Sequence, residues 1–287
     1  TYLGGSGTDL PHSLVVTANN ELVILGSSSS ANYPTTSNAY DTNFNGGSSV
    51  LVSNISFENG SDIVVTKLSP NGSSLIGSTY LGGSQNDGLN LAMNLTYNYA
   101  DEARGEIFLD NSGGIYIASS TLSSNFPTTA GAFQTVYGSN QDGCITKFNG
   151  SLSEVIWSSF IGGNGQDAAY SLKLDGAGNL YVCGGTTSAN FSVTSGSIKP
   201  NYGGSIDGFL AKINNNGTNI LSSTFLGTAD YDQSYFVELD DENNVFVVGQ
   251  TSGNYPVFGD VYSNNNSGQF VHKISNDLST TLLSTVF

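Results

Sequence analysis

The chain has 287 residues and carries 7 Lys and Arg against 23 Asp and Glu, a formal charge of −16 that excludes an electrostatic grip on nucleic acid or anionic lipid. Charged residues make up only 10% and hydrophobic ones 38%, so the acidity reflects scarce bases and not a solvating acidic tract, and a packed core is expected. No run of about 18 apolar residues occurs, which excludes a membrane-spanning helix. The two cysteines, Cys144 and Cys183, lack zinc spacing and are too few for a disulfide framework; they stand where other units have core hydrophobes and read as buried free thiols. With no initiator Met and no signal-like opening, the segment reads as an excised or processed piece.

Self-similarity governs every later assignment. The string TYLGG at residues 1–5 recurs at 79–83, 159–163 and 224–227 and, cut short, within 284–287, where Thr285 matches the signature threonine, with intervals of 78, 80, 65 and 61 residues. In chain order, residues 1–5 read as the outer strand of a preceding blade, followed by units at 6–83, 84–163, 164–228 and 229–287. Each unit predicts four short strands rich in β-branched and aromatic residues and bounded by Gly, Asn, Asp and Ser. The first strands are SLVVT at 13–17, EIFLD at 106–110, SLKLD at 171–175 and FVELD at 236–240. A turn rich in Asp, Asn and Gly follows, then a second strand (ELVILG, GIYIAS, NLYVCG, NVFVVG). After a variable loop come the third strands at 62–68, 142–148, 207–213 and 268–274, and the fourth strand ends in the signature.

Two units are longer than the third. The first carries an extra VLVSNISF at 50–57, which reads as an elongated hairpin. In the second, Leu89, Leu91, Met93, Leu95, Tyr97 and Tyr99 alternate with small or polar residues, a period of two that predicts an additional half-buried strand or hairpin. Its apolar stripe needs covering, by the domain's own face or by a partner protein, so Leu91, Met93, Leu95, Tyr97 and Tyr99 are the candidate interaction residues.

Repeated antiparallel quartets without helical periodicity predict an all-β fold of β-propeller blades: four four-stranded antiparallel blades, forming an arc of a larger propeller with a compact four-bladed ring as the competing arrangement. The chain also resembles the bacterial SBBP β-propeller repeats over essentially its whole length. The resemblance is carried by the TYLGG signatures, by Asn125-Phe126-Pro127-Thr128-Thr129 with Gly131-Ala132-Phe133-Gln134, and by the DGFLAKI type of third strand. Departures are Ser192 for a proline, Gly268 for an aspartate and Gly227-Thr228 for the double glycine. The resemblance implies a secreted or surface-exposed bacterial protein, commonly a large one in gliding bacteria with type IX secretion.

An aspartate falls six residues after the signature Leu or Ile in every unit: Asp9, Asp87, Asp167 and Asp232. Such carboxylates can hold Ca²⁺, but a residue required in every unit is first a fold device, here an Asx-type bond to loop amides. The third strands repeat a lysine, Lys67, Lys147, Lys212 and Lys273, which is expected to face Asp62, Asp142 or Asp207 of a neighbouring blade. His12, in a loop beside Pro11, and His272 are the only histidines and neither reads as a catalytic base. The clusters Asp101-Glu102, Asp230 with Asp232, and Asp240-Asp241-Glu242 have the composition of a glycosidase pair, yet the last is turn chemistry. The function expected is therefore a non-enzymatic extracellular scaffold or adhesion module whose partner is another protein or further blades of its parent. The alternative is a carbohydrate-binding or carbohydrate-active propeller presenting Tyr33, Phe126, Phe191 and Tyr255.

Overall fold

The computed structural model describes residues 1–98 and 100–287; Tyr99 lies outside the described residues. The first sheet contains β1 (Asp9–Val16) and β2 (Leu22–Ser28), then, beyond a small separate hairpin of β3 (Val50–Val52) and β4 (Ile55–Phe57), β5 (Asp62–Leu68) and β6 (Leu75–Leu81). The second consists of β7 (Glu106–Leu109), β8 (Ile115–Thr121), β9 (Asp142–Phe148) and β10 (Val155–Ile161). The third consists of β11 (Asp167–Leu174), β12 (Leu180–Thr186), β13 (Asp207–Ile213) and β14 (Ile220–Leu226). The fourth consists of β15 (Asp232–Leu239), β16 (Val245–Thr251), β17 (Gln269–Ile274) and β18 (Thr281–Val286). All four are antiparallel, with strands adjacent in sequence order. Among the described residues helix is limited to two 3-10 turns, Met93–Leu95 and Asp101–Ala103, and no helix is long and apolar enough to cross a membrane.

The first hairpin is closed by one acidic side chain in the second, third and fourth units, and by the Thr17 hydroxyl in the first. Asp175 Oδ1 accepts the amides of Ala177 (3.0 Å) and Asn179 (2.8 Å), and Asp240 Oδ1 accepts those of Glu242 (2.9 Å) and Asn244 (2.8 Å). The same carboxylate receives the repeated lysine: Lys147–Asp110 at 3.0 Å, Lys212–Asp175 at 3.5 Å and Lys273–Asp240 at 2.8 Å, with Glu21 taking Lys67 at 2.7 Å. Three of the ammoniums also lie over the aromatic ring directly across the ladder, Lys147 at 4.7 Å from the Tyr116 centroid, Lys212 at 4.9 Å from that of Tyr181 and Lys273 at 5.0 Å from that of Phe246, whereas Lys67 faces Val23. The expected pairing with Asp62, Asp142 or Asp207 of a neighbouring sheet is therefore wrong: the turn carboxylate lies on the lysine's own side of its own sheet. What crosses to the next sheet is a bond to a carbonyl, Lys67 Nζ to Gly150 and Lys212 Nζ to Asn276.

The sheets pack face to face in sequence, β1 on β7, β8 and β9 on β11, and β12 and β13 on β15. Apolar side chains fill the two-sided interiors: Ile117, Phe148 and Phe160 lie between the first and second sheets, and Phe209, Leu172 and Val182 between the second and third. Each loop after a second strand latches onto the next unit's outer turn, Tyr40 N to Leu152 O (2.9 Å), Phe133 N to Gly217 O (2.9 Å) and Ile198 N to Leu278 O (3.0 Å). The central strands β8 and β12 are buried at every residue, whereas β16 of the fourth sheet alternates buried and half-buried positions and β1 exposes Leu14 and Val16. The first and fourth sheets thus each keep a face that no other sheet covers to the extent seen inside the stack.

Three further expectations change. Residues 1–5 form no strand, because no third strand among the described residues pairs with them; Tyr2 is fully exposed. The extra segment of the second unit is not a strand: its period-two pattern resolves into the two 3-10 turns. His12 is not in a loop but within β1. The expected hairpin at 50–57 is present as β3 and β4, turning through Ser53 and Asn54 at φ 46° and 67°.

Candidate functional site

The innermost strands share a bulge three residues after the repeated aspartate. The register shifts between Pro11 and Ser13, between Ala169 and Ser171, and between Ser234 and Phe236, leaving His12, Tyr170 and Tyr235 unpaired. A bulged residue escapes the pleat and can be re-aimed. In the second unit the same place is taken by an excursion. Gly88 N bonds Ser120 O and Glu106 pairs with Ala118, so the chain between them leaves the sheet opposite the single residue Ser119.

That excursion lies against the inner strands of the third and fourth sheets as a polar plug. Asn90, the residue matching the bulges, donates from Nδ2 to Leu95 O (3.0 Å), Asp101 O (3.2 Å) and Tyr170 OH (3.1 Å). Leu95 O also accepts Tyr170 OH (3.1 Å) and Gln233 Nε2 (3.2 Å). Gln141 clamps the start, accepting Leu91 N (2.8 Å) and donating to Asn90 Oδ1 (2.8 Å). Asp101 is fully buried; it accepts Asn98 N (2.7 Å), Tyr235 OH (3.1 Å) and Arg104 Nε (2.8 Å). Arg104, the only arginine in the chain, stacks its guanidinium 4.3 Å from the Tyr235 ring centre.

Beside Arg104 opens a cleft of about 430 Å³ lined by Asn98, Tyr235, Phe236, Gln250 and Gln269, and on its other side one of about 230 Å³ reaching His12 and Glu106. Burial raises the Tyr170 and Tyr235 phenols well above the ordinary tyrosine value, so both stay protonated donors at neutral pH. Burial also lowers His12 to about 4, which keeps it neutral. His12 Nε2 stands 3.2 Å from Ser27 Oγ, but Ser27 is fully buried and no carboxylate bonds Nδ1, so the pair lacks both access and an orienting acid. His272 is held between Tyr255 OH (2.8 Å) and Thr281 Oγ1 (2.9 Å) inside the fourth sheet.

The candidate interaction residues divide. Leu95 is fully buried beneath the plug, and half-buried Leu91 packs with Leu89, Val52 and Phe57 against the β3–β4 hairpin. Met93 is 87% exposed and Tyr97 62% exposed, the latter stacked on Tyr231 with ring centres 4.6 Å apart. Tyr33, Phe126, Phe191 and Tyr255 are buried, each packed on the rings of its own sheet, such as Phe191 on Phe209 and Tyr255 on Phe270. They cannot present a ligand platform.

The four repeated aspartates act as latches. Asp87 accepts Gly83 N (2.7 Å), Ser123 Oγ (2.8 Å) and Thr121 Oγ1; Asp167 accepts Gly163 N (2.8 Å), Ser188 Oγ (2.7 Å) and Thr186 Oγ1. Asp9 repeats the pattern with Gly5 N (2.8 Å), Ser28 Oγ (2.5 Å) and Ser30 Oγ (3.1 Å), and Asp232 keeps only Thr228 N (2.6 Å) and Thr228 Oγ1 (2.8 Å). They lie in separate inter-sheet junctions and do not converge. Among the described residues no three His, Cys, Asp or Glu side chains group as a metal centre by themselves.

Facing three of these latches is a second aspartate from the head of a third strand. A Cβ on Gly82 would lie 2.6 Å from Asp62 Oδ1 and 2.7 Å from Asp87 Oδ2. On Gly162 it would meet Asp142 Oδ1 at 2.7 Å and Asp167 Oδ2 at 2.8 Å, and on Gly227 Asp207 Oδ1 at 2.8 Å and Asp232 Oδ2 at 2.7 Å. Two carboxylates thus crowd the first glycine of the signature, and any side chain there would displace them. Burial, opposed by the amides and reinforced by the facing carboxylate, pushes Asp62 up to about 8 and Asp142 up to about 7; burial pushes Asp87 up to about 7.

No family model matches the chain, and no curated protein matches it in sequence. Among solved structures it is similar to a protein of unknown function from Dyadobacter fermentans, with a TM-score of 0.50 and 10% identity over 96% of this chain and 64% of that one. It also aligns with the NanB sialidase of Streptococcus pneumoniae, with a TM-score of 0.46 and 8% identity over 99% of this chain and 52% of the sialidase. The chain therefore spans less than two thirds of the structures it resembles, and at these identities the likeness concerns the fold alone.

Proposed function

We propose that the four sheets are blades of a β-propeller of the SBBP-repeat type, running as an arc whose open first and fourth faces are covered by further blades of the parent protein. Support comes from the contrast between β12, buried throughout, and β16, which alternates. The propeller is a non-catalytic binding scaffold of a secreted or surface-exposed bacterial protein, and it presents the exposed Met93 and Tyr97 of the plug to a partner protein. The observation carrying this reading is how the polar groups are used: Asp101 is bonded to Tyr235 and Arg104, Tyr170 to Asn90, Leu95 O and Gln233, and the repeated carboxylates to loop amides and hydroxyls. No exposed nucleophile stands beside a free base among the described residues.

A second reading, carbohydrate binding, has one specific observation in its favour. The 430 Å³ cleft combines an aromatic face, Phe236 at 55% exposure, with the amides of Asn98, Gln250 and Gln269, the mixture a sugar ring uses. A glycan array together with a reducing-sugar assay decides between them. The scaffold reading expects no hydrolysis, and loss of protein-partner binding with the fold retained in the Met93→Ser/Tyr97→Ser double variant. Release of reducing sugar that a single substitution of Glu106 or Asp101 abolishes would refute it.

A further inference from the structure

Each third strand ends in a turn whose fourth residue is held in the left-handed region: Gly72 at φ 67°, Leu152 at 58°, Gly217 at 69° and Leu278 at 62°. The carbonyls of the last three take the latch amides of Tyr40, Phe133 and Ile198 from the preceding unit. Across each junction that residue meets a partner of complementary size on the preceding outer strand. A Cβ on Gly77 would lie 3.5 Å from that of Leu152, and the Trp157 indole fills the space that a side chain on Gly217 would need. Ser222 stands in register with Lys212 as Gly77 does with Lys67 and Trp157 with Lys147, and the leucine of the following turn, Leu278, is fully buried. Each end of the stack holds one unused half of this fit. In the fourth sheet the register place belongs to half-buried Leu283. Val261 stands there where the latch amides arise, since Thr285 bonds the carbonyl of Tyr262 as Thr79 bonds that of Asp41. Val261 N has no partner among the described residues, and in the first unit Gly72 O receives only the Thr1 hydroxyl, at 2.9 Å.

We propose that the fourth sheet of one copy packs head to tail on the first sheet of a second copy of this chain, seating Leu283 over Gly72 and giving Val261 N to Gly72 O. The inference rests on the arc reading and adds a second copy as an occupant of the two open faces. A large side chain on one face meets a glycine on the other, as Trp157 meets Gly217. Both faces carry apolar area that a junction would bury. Leu14 is exposed although its counterparts Ile107, Leu172 and Val237 are buried, and Val248 and Val271 are half-buried although Cys183 and Leu210 are fully buried. Charge agrees as well. At each internal junction the latch aspartate faces a second carboxylate, but the fourth unit has Gly268 in that place, so Asp9 enters the joint without one. Thr1–Leu3 match Thr285–Phe287 in the repeat and are displaced on joining; exposed Phe287 then takes the seat of Leu3 against Tyr33, Val64 and Tyr80, as Leu81 sits with Phe126, Cys144 and Phe160. The two faces differ, so the contact is heterologous.

Oxidative cross-linking of Gly72→Cys and Leu283→Cys variants tests the contact, at about 100 µM protein in about 0.3 M salt, which screens the charge of −16 on each copy. The Gly77–Leu152 separation is that of a disulfide, Leu152 and Leu278 show that the turn accepts a side chain at this φ, and the native cysteines are buried. An equal mixture of the two single variants should give a cross-linked dimer on non-reducing gels, and each variant alone should give none. Deleting residues 1–3 should increase the cross-linking, because Gly72 O and the seat of Leu3 are then freed. Leu14→Asp, at a position exposed in the single chain, should reduce it roughly tenfold by burying an unpaired carboxylate. Light scattering of the unmodified protein at the same concentration should give a mass of at least two chains. A single-chain mass with no cross-link in the mixture would overturn the proposal and leave the arc reading standing. Either variant cross-linking to itself as readily as to the other would also overturn it, because like faces would then be meeting. A disulfide within one chain of the Gly72→Cys/Leu283→Cys double variant would overturn both, since the first and fourth sheets would then close on each other.

Discussion

Asp9 and Asp167 occupy the same repeat position and make the same set of bonds, but the amide of one set is exposed and that of the other buried. In Asp167→Ala, Gly163 N, Ser188 Oγ and Thr186 Oγ1 lose their acceptor within a fully buried junction. The amide cannot turn to another partner, and a stranded buried donor costs about 1–3 kcal/mol; the two hydroxyls can rotate and lose about 1 kcal/mol each. The net loss is about 3–5 kcal/mol, which for a chain of this size lowers the melting temperature by roughly 10 °C. In Asp9→Ala the corresponding amide, Gly5 N, is exposed and is rehydrated, so only the buried Ser28 and Ser30 hydroxyls lose about 1 kcal/mol each and the cost is about 2 kcal/mol. Urea denaturation followed by Trp157 fluorescence and far-ultraviolet circular dichroism measures both. Equal losses in the two variants, or an Asp167→Ala loss under about 1 kcal/mol, would refute the claim that these aspartates are latches whose worth is set by burial.

Leu95→Ser should cost about 2–4 kcal/mol because it opens the apolar underside of the plug, whereas Met93→Ser, at an 87% exposed position, should stay within about 0.5 kcal/mol in the same denaturation assay. Unfolding free energy should decline as pH rises from about 4 to about 8. Asp62 and Asp142 hold their protons in the fold up to about 8 and about 7 but release them near 4 when unfolded, so each contributes a slope of about −1.4 kcal/mol per pH unit in that window. Asp62→Asn should flatten the curve, and an unchanged curve would show that the carboxyl is not buried as described. Lys147→Met keeps the stem over Tyr116 but loses the partly buried pair with Asp110, and should cost about 1 kcal/mol in urea denaturation.

The strands were legible because each carries its own local reasons to form. Asp175 and Asp240 sit where a carboxylate can cap the turn amides, and the runs NLYVCG and NVFVVG are β-branched and aromatic. The excursion of the second unit was misread for a related reason. Its leucines and tyrosines alternate as a strand would, but Asn90 and Asn98 spend their side chains on Tyr170, Gln250 and the loop's own carbonyls, contacts that sequence spacing does not show. The partner of the repeated lysines was missed because the turn acid lies far along the chain and close only across the ladder. The polar plug had one signal in the sequence: three residues after each repeated aspartate the units diverge to His12, Asn90, Tyr170 and Tyr235.

The sequence by itself determined the repeat, the four strands of each unit, the latch aspartates and the hairpin at 50–57, because these rest on local propensity and on bonds made within a few residues or demanded in every unit. Only the tertiary structure decided where the units differ in consequence. Packing one sheet on the next buried Asp62 with only its Oδ2 bonded while giving Asp207 a lysine, and a bulge turned Tyr170 and Tyr235 onto a plug from another unit. Burial set these charges, and proximity between residues 63 and 134 apart in the chain set the bonds of Tyr170 to Gln233 and of Tyr235 to Asp101; a one-dimensional pattern carries neither quantity.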